Sequence, residues 1–242
     1  MPISGFALER RALLLACGAI AMSAAFPRIV KAETKPKIGF IGAGRIGGTL
    51  AKLWTQAGYQ VMLSARDLGP VRELAAQLGP NASVGTPAEA AAWGDVVVVT
   101  VPYGALPQVG HDYAAQLKGK VVLDTCNPYL SRDGDMAKEA LEKGTGVMDP
   151  IYLPGTRLVR AFNSIGYLSL ASEAHRTGEP IGIELAADDA QALKIAKQLV
   201  TAAGFEPVVV GGLSTAKRFD NGSPIYPKTL PASEMRAILG LK

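Results

Sequence analysis

The stretch "KPKIGFIGAGRIGGTL", which begins at Lys35, decides the fold class of this 242-residue chain. Four residues of strand character, "IGFI", run into a turn that contains Gly42, Gly44 and Gly47. A helical pattern, "RIGGTLAKLWTQAG", follows at once. A strand, a G-x-G-x-x-G turn and a helix in this order are typical of a dinucleotide-binding βαβ unit.

Each glycine in this turn has a separate task in such a unit. Gly42 permits the tight turn, Gly44 lets the backbone approach a pyrophosphate, and Gly47 lets helix and strand pack closely. The helix N-terminus then offers free N–H groups and a positive dipole end to the phosphates. The alternative is a glycine-rich turn that binds no ligand.

The end of the second strand, "YQVMLSARD", indicates which dinucleotide is bound. A free ribose 2′-hydroxyl usually meets a carboxylate about 20 residues beyond the glycines. Here the strand ends in Ser64, which Ala65 and Arg66 follow, and Asp67 comes too late. A hydroxyl and a guanidinium can bind a 2′-phosphate, which favours NADP(H) over NAD(H). Arg45 is a second candidate cation, and solvated loop arginines are the alternative for both.

The rest of the chain alternates short β-branched runs with helical stretches, which predicts a parallel sheet built from βαβ units. The fold class is therefore α/β, a Rossmann-type doubly wound parallel sheet with a small C-terminal α/β portion. Strands are expected near residues 37–41, 60–63, 95–101, 120–125, 157–162, 181–186 and 206–210. Helices are expected near residues 45–57, 70–78, 86–93, 104–117, 134–143, 188–203 and 232–239.

Two further strand ends should line the ligand crevice. Ligands of open parallel sheets lie beyond the carboxyl ends of the strands. We therefore expect Val101, Pro102 and Tyr103 after one strand, and Asn127 and Pro128 after the next, near the nicotinamide. An Asx turn formed by Asn-Pro is the equally simple explanation for Asn127.

The first 32 residues have the features of an export signal. Their net charge is +3, whereas the remaining chain holds 21 basic and 20 acidic residues, so no basic surface for nucleic acid is expected. Arg10-Arg11 precedes an apolar stretch at 12–26, and Val30-Lys31-Ala32 offers a cleavage site. We expect a twin-arginine signal, a periplasmic location and no stable membrane span after cleavage. A plain secretory signal or a retained anchor is the alternative.

Cysteine and histidine usage excludes two other kinds of site. Cleavage after Ala32 would leave Cys126 as the one cysteine, so an internal disulfide is not expected. One cysteine with His111 and His175 gives no recognisable metal cluster. The expected organisation is an export signal at 1–32, an NADP-binding domain at 33–165 and a small α/β region with an extended tail at 166–242.

Six motifs in order carry a resemblance to a known family. They are "KIGFIGAGRIGGTLA", "LSAR", "VVVVTVP", "LDTCNPY", "LVRAFNSIG" and "AGFEPVVVGGL", spread over about residues 35–213. Together they resemble the NADPH-dependent coenzyme F420 reductase family. The resemblance implies a Rossmann domain, a small C-terminal domain and a cleft in which a deazaflavin meets the nicotinamide.

The resemblance also assigns cofactor contacts. It implies that the glycine loop cradles the phosphates, that the end of the second strand binds the 2′-phosphate and that the segment 162–164 lies near the cofactor. The residues so implied for the phosphates are Gly42, Ala43, Gly44, Arg45 and Ile46, with Ser64 and Arg66 for the 2′-phosphate. The export signal, a longer connection at 131–155 and the extended tail depart from the family pattern, so a flavin-like acceptor stays open beside coenzyme F420.

No residue is predicted to be catalytic. Hydride transfer between a nicotinamide and a stacked acceptor needs alignment rather than a nucleophile, and His111 and His175 are expected at the surface. One alternative is a non-catalytic NADP(H)-binding sensor or partner protein. Another is an imine reductase of the pyrroline-carboxylate reductase type, disfavoured by the βαβ pattern at 181–210. The partner is expected to be a small-molecule hydride acceptor or donor, and homo-oligomer formation stays open.

Overall fold

A computed structural model describes Met1 and residues 35–242 of the chain. Residues 35–242 form one compact unit. The predicted export signal and its cleavage site lie outside the described residues.

The described residues build one eight-stranded sheet in the order β3-β2-β1-β4-β5-β6-β7-β8. The strands are β1 (Ile38–Ile41), β2 (Val61–Leu63), β3 (Ala82–Val84), β4 (Val96–Val99), β5 (Val121–Asp124), β6 (Arg157–Ala161), β7 (Gly182–Ala187) and β8 (Glu206–Gly211). Neighbouring strands are parallel except β6 and β7. The first six strands have the order of a Rossmann fold, so the predicted fold class is confirmed.

Helices connect and cover the strands. They are α1 (Arg45–Gln56), α2 (Gly69–Leu78), α3 (Pro87–Trp93), α4 (Leu106–Asp112), α5 (Ala114–Leu117), α6 (Leu130–Lys143), α7 (Thr145–Tyr152), α8 (Tyr167–Ser172), α9 (Ala190–Ala202) and α10 (Ala232–Ile238). Short 3₁₀ helices lie at Tyr103–Ala105 and Leu213–Arg218.

The central strands are buried on both faces, as the continuous valine run of β4 predicts. Val96 and Val98 belong to one hydrophobic cluster, which includes Trp54 of α1. Val97 and Val99 belong to the cluster on the opposite face. The sheet is therefore covered by packed side chains on both faces.

The predicted elements are largely confirmed, and the differences have local causes. Thr86 and Glu89 form the expected capping box at the start of α3. The predicted helix at 104–117 is broken into a 3₁₀ turn, α4 and α5, because Tyr113 leaves the helical conformation. Strand β3 and helices α7 and α8 were not predicted. Helix α6 starts earlier than expected and has a kink at Gly134, whose φ is +56°.

The C-terminal region continues the main sheet. Strands β7 and β8 extend it beyond β6, and β7 runs antiparallel to β6. The boundary expected near residue 165 therefore coincides with a change of strand direction rather than with a second sheet. The tail packs as its own cluster, around Phe219, Ile225 and Met235, on the outer strands.

Candidate cofactor-binding cleft

The glycine loop joins β1 to α1 at the point where the strand order reverses. Gly42 has a φ of +99°, and its N–H donates to the carbonyl oxygen of Ser64 at 3.1 Å. A Cβ on Gly42 would lie 2.5 Å from the carbonyl oxygen of Thr100. A Cβ on Gly47 would lie 2.5 Å from both Gly42 O and Thr100 Oγ1. Both positions therefore require glycine.

The surroundings of Gly44 differ from those of Gly42 and Gly47. A Cβ there would find no protein atom within 4 Å, and its φ of −74° suits any residue. Gly44 is the N-cap of α1, and no side chain caps this helix. The first N–H groups of the helix thus face an open space, as a phosphate-binding helix N-terminus requires.

A cleft of about 860 Å³ lies against this loop. Its walls come from the ends of β1, β2 and β4, from the starts of α3 and α6, and from helix α4 with the 3₁₀ turn before it. The lining residues are Ile41, Gly42, Ala43, Gly44, Ala65, Arg66, Pro87, Thr100, Val101, Pro102, Gly104, Ala105, Gln108, Val109, Asp112, Tyr113, Arg132 and Asp133. The volume is that of a site for a cofactor-sized molecule.

The two residues predicted for the 2′-phosphate have different places. Arg66 is exposed and lines the cleft. Ser64 is fully buried, and its hydroxyl donates to the carbonyl oxygen of Phe40, so its side chain does not face the cleft. The role that the structure shows for Ser64 is to fix the glycine loop through its own carbonyl.

Two further residues of the predicted phosphate cradle point elsewhere. The Arg45 guanidinium lies 5.1 Å from the ring centroid of Tyr167, in a second groove between α1 and α8. The Ile46 side chain is partly buried and packs against the core. Neither side chain lines the cleft, so the structure does not confirm Arg45 as a second cation for the phosphates.

Of the three residues predicted to line the cleft after β4, two do so and one lies in the core. Val101 and Pro102 line the cleft as predicted. Tyr103 does not line it: its side chain is fully buried, and its hydroxyl donates to Asp149 Oδ1 at 2.6 Å. The buried hydroxyl needs an acceptor, which an oxygen of the interior carboxyl group supplies, so the ring points away from the cleft.

The segment that follows β5 is hydrogen-bonded to the segment that follows β6. Asn127 Nδ2 donates to the carbonyl oxygen of Asn163 at 2.7 Å, and Asn163 Nδ2 reaches Asn127 Oδ1 at 3.4 Å. Pro128 is buried, and neither Asn127 nor Pro128 lines the cleft. Phe162, which precedes this contact, has a positive φ of +60°. Such strain in a bulky residue is typical of functional segments.

Below the cleft lies a buried ionic cluster that sequence reasoning missed. Arg160 Nη1 is 3.1 Å from Asp124 Oδ1 and 3.3 Å from Asp149 Oδ2, and Arg160 Nη2 is 3.7 Å from Asp220 Oδ1. Burial and the neighbouring negative charge of Asp124 raise the pKa of Asp149 well above its ordinary value. Burial likewise raises the pKa of Asp220. The cluster ties the ends of β5 and β6 to α7, and no local pattern signals it.

The remaining candidate residues lie at the surface. His111 is exposed and its Nδ1 lies 3.0 Å from Asp112 Oδ1, while His175 is exposed beside the second groove. Hydrogen bonds from His111 and Gln108 lower the pKa of Asp112. Within residues 35–242, no group of side chains could hold a metal ion, and no helix is long and apolar enough to cross a membrane.

The cleft residues fit a dinucleotide. Two glycines are enforced by backbone contacts that a Cβ would violate, whereas Gly44 leaves open space beside an uncapped helix start. Arg66 places a cation on the cleft wall after β2, where a ribose phosphate is recognised in this fold. Gly42, Ala43 and Gly44 would hold the pyrophosphate, and Arg66 the 2′-phosphate.

Comparison with known proteins shows which proteins the chain is similar to. Residues 37–128 match the family described as "NADP oxidoreductase coenzyme F420-dependent". The chain is 29% identical over 199 residues to the F420-dependent NADP reductase of Methanothermobacter thermautotrophicus, which covers 76% of this chain and 84% of that protein. It is 27% identical over 212 residues to the metalloreductase STEAP3 of Rattus norvegicus, which covers 85% of this chain but 39% of that protein.

Solved structures of low sequence identity share the fold. A hypothetical protein of Sinorhizobium meliloti has a TM-score of 0.69 at 22% identity, covering 82% of this chain and 96% of that one. A proposed F420-dependent NADP reductase of an Arthrobacter species has a TM-score of 0.60 at 21% identity, covering 75% of this chain and 87% of that one.

The family match and the Methanothermobacter relative indicate the class of protein, an NADP-dependent oxidoreductase, and the fold is the one that this class uses. Within that class, the resemblance to the NADPH-dependent coenzyme F420 reductase family that the motifs predict is confirmed by the match over residues 37–128 and by the archaeal relative.

Proposed function

We propose that this protein transfers hydride between NADP(H) and a deazaflavin, such as coenzyme F420, or a flavin-like acceptor. The observation that carries the proposal is the cleft in which the glycine loop and Arg66 lie together. The family match and the F420-dependent NADP reductase relative support the deazaflavin as acceptor.

The residues of the cleft would act by binding and alignment. Bound NADPH would supply a hydride from C4 of its nicotinamide. The loop N–H groups and Arg66 would hold the phosphates at one end of the cleft, so that the nicotinamide end lies toward Val101 and Pro102. The acceptor takes two electrons and one proton as the hydride, and solvent supplies the second proton that the reduced ring system binds.

No general base is required, because no proton leaves a carbon atom. This agrees with the composition of the cleft wall, whose two carboxylates, Asp112 and Asp133, are engaged in hydrogen bonds within the protein. The rate would depend on how closely the cleft aligns the two rings.

Oxidation of NADPH by coenzyme F420 or FMN, followed at the nicotinamide absorbance band with the chain that starts at Glu33, tests the proposal. Steady consumption supports the oxidoreductase. Tight binding of NADPH without turnover of either acceptor would contradict it and support the redox sensor instead.

We also propose that the chain is exported with a twin-arginine signal and that Ala32 is the last residue removed. The supporting observations are the Arg10-Arg11 pair, the apolar stretch and the small-residue cleavage site. Mass analysis of periplasmic protein should find an N-terminus at Glu33, whereas an intact Met1 would contradict cleavage.

A further inference from the structure

Arg132, in the first turn of α6, lines the same cleft as the glycine loop but has no part in the predicted dinucleotide contacts. Its guanidinium is held on one side by Asp133. Arg132 Nε donates to Asp133 Oδ1 at 2.9 Å, and Arg132 Nη2 donates to Asp133 Oδ2 at 2.8 Å. This two-point pairing fixes the plane of the guanidinium.

Two further contacts hold the same side chain. Arg132 Nη2 also donates to the carbonyl oxygen of Asn127 at 2.7 Å. The guanidinium lies 5.0 Å from the ring centroid of Tyr129, whose hydroxyl is hydrogen-bonded to that of Tyr226 in the C-terminal tail. An arginine on a cleft wall therefore has little rotamer freedom left to lose when it binds a ligand.

The positive end of the pair faces the cleft. The side chain of Asp133 is 2% exposed and that of Arg132 is 42% exposed. Asp133 also accepts from the backbone N–H groups of Gly104 and Tyr129, at 3.1 and 3.0 Å. Arg132 Nη1, by contrast, forms no hydrogen bond with another residue of the described part of the chain. A fixed cation with an open donor is thus presented to the cleft.

The position of Arg132 assigns it to the acceptor rather than to the dinucleotide phosphates. Arg66 follows β2 and Arg132 follows β5, and β1 and β4 lie between these strands in the sheet. Three strand spacings, about 14 Å, separate these two strands in the sheet. A dinucleotide whose 2′-phosphate lies at Arg66 and whose pyrophosphate lies at the glycine loop points its nicotinamide end toward Arg132.

We propose that Arg132 is an anion subsite for the hydride acceptor, held in place by Asp133, and that the acceptor carries a phosphate or carboxylate on its side chain. This inference rests on the proposed function, since it assigns the acceptor to the nicotinamide end of the cleft. A neutral ring system alone would make no charge-assisted hydrogen bond with Arg132 Nη1, which would then donate to water.

FMN and riboflavin test the subsite, because they share one ring system and differ in a phosphate. Calorimetry on the NADP⁺-loaded chain from Glu33, at low salt, measures binding without turnover. We expect FMN to bind about tenfold more tightly than riboflavin, an effect of the size expected for one charge-assisted hydrogen bond. Arg132→Gln should remove this preference by weakening FMN binding, and Arg132→Lys should keep part of it.

Arg176→Gln is the matched control. Arg176 pairs with Glu173, has a similar exposure of 37%, and does not line the cleft. This substitution should leave the FMN preference unchanged.

Three results would overturn the subsite: equal loss of FMN and riboflavin binding in Arg132→Gln, an FMN preference that survives the substitution, or binding of neither flavin by the unaltered chain. The outcome is separate from that of the proposed function. An Arg132-dependent FMN preference without NADPH oxidation by any acceptor would contradict the function alone, and turnover without that preference would contradict the subsite alone.

Discussion

Asp124 and Arg160 face each other directly across β5 and β6, and both side chains are fully buried. Arg160 Nη1 lies 3.1 Å from Asp124 Oδ1, and the same guanidinium reaches two more carboxylates from α7 and the tail. The strand ends that carry the cleft loops are thus joined below by a buried ionic cluster.

Removal of the Arg160 guanidinium should strongly destabilise the folded protein. Arg160→Met leaves the buried Asp124 carboxylate without its ion-pair partner, so we expect the free energy of unfolding to fall by about 3–5 kcal/mol. Urea unfolding measures the change. Arg157→Met is the control on the same strand, since Arg157 forms a partly exposed ion pair with Asp189 and should matter far less. Equal effects of the two substitutions would contradict the importance of the buried cluster.

Asp149 should make stability depend on pH. Its raised pKa means that the folded protein holds a proton that the unfolded chain releases near pH 4. The stabilisation is complete below the unfolded pKa and is lost as pH rises toward the folded pKa, by about 1.4 kcal/mol per pH unit. An asparagine at position 149 cannot ionise, so the unfolding free energy of Asp149→Asn should fall less steeply than that of the wild type as pH rises above about 4.

Asp189 provides the opposite case. The hydrogen bond from Arg157 lowers its pKa to about 2. Its contribution is present above the unfolded pKa and is lost as pH falls through the folded one. Asp189→Asn should therefore flatten only the acidic side of the plot of unfolding free energy against pH.

The Asp149 prediction has its own contradicting result. If Asp149→Asn leaves the slope of unfolding free energy against pH the same as in the wild type, the protonated state of Asp149 is contradicted.

The glycine loop predicts a contrast between two alanine substitutions. Gly47→Ala places a Cβ against Gly42 O and Thr100 Oγ1, so we expect a loss of about 2–3 kcal/mol and a melting temperature lower by several degrees. Gly44→Ala meets no protein atom and should leave the ligand-free melting temperature nearly unchanged. It should instead weaken NADP⁺ binding by tenfold or more, because the Cβ occupies the space of the pyrophosphate. Unchanged affinity in Gly44→Ala would refute the phosphate site.

Local patterns in the sequence predicted most of the fold. The strand–turn–helix at Lys35 and the capping box at Thr86 depend on neighbouring residues, so spacing and residue type were sufficient. Strand β3 was not predicted, because it is only three residues long, follows a turn and lies at the edge of the sheet. Helix α7 was not predicted, because it is short and contains Pro150.

The site was predictable only in part, for a related reason. Gly42, Gly44 and Arg66 lie where motif and strand end place them. Burial of Ser64 and Tyr103 depends on acceptors elsewhere in the fold, namely Phe40 O and Asp149. The ionic cluster and the pairing of Arg132 with Asp133 in the cleft wall likewise follow from tertiary contacts that no spacing reveals.

Comparison of the melting temperature with NADP⁺ and with NAD⁺ at equal concentrations tests most directly whether Arg66 and the glycine loop bind a 2′-phosphorylated dinucleotide. A ligand that binds only the folded state raises the melting temperature according to its affinity. We predict a larger rise with NADP⁺ than with NAD⁺, and a smaller difference in Arg66→Ala. Equal stabilisation by both dinucleotides, or none by either, would contradict the proposed binding site.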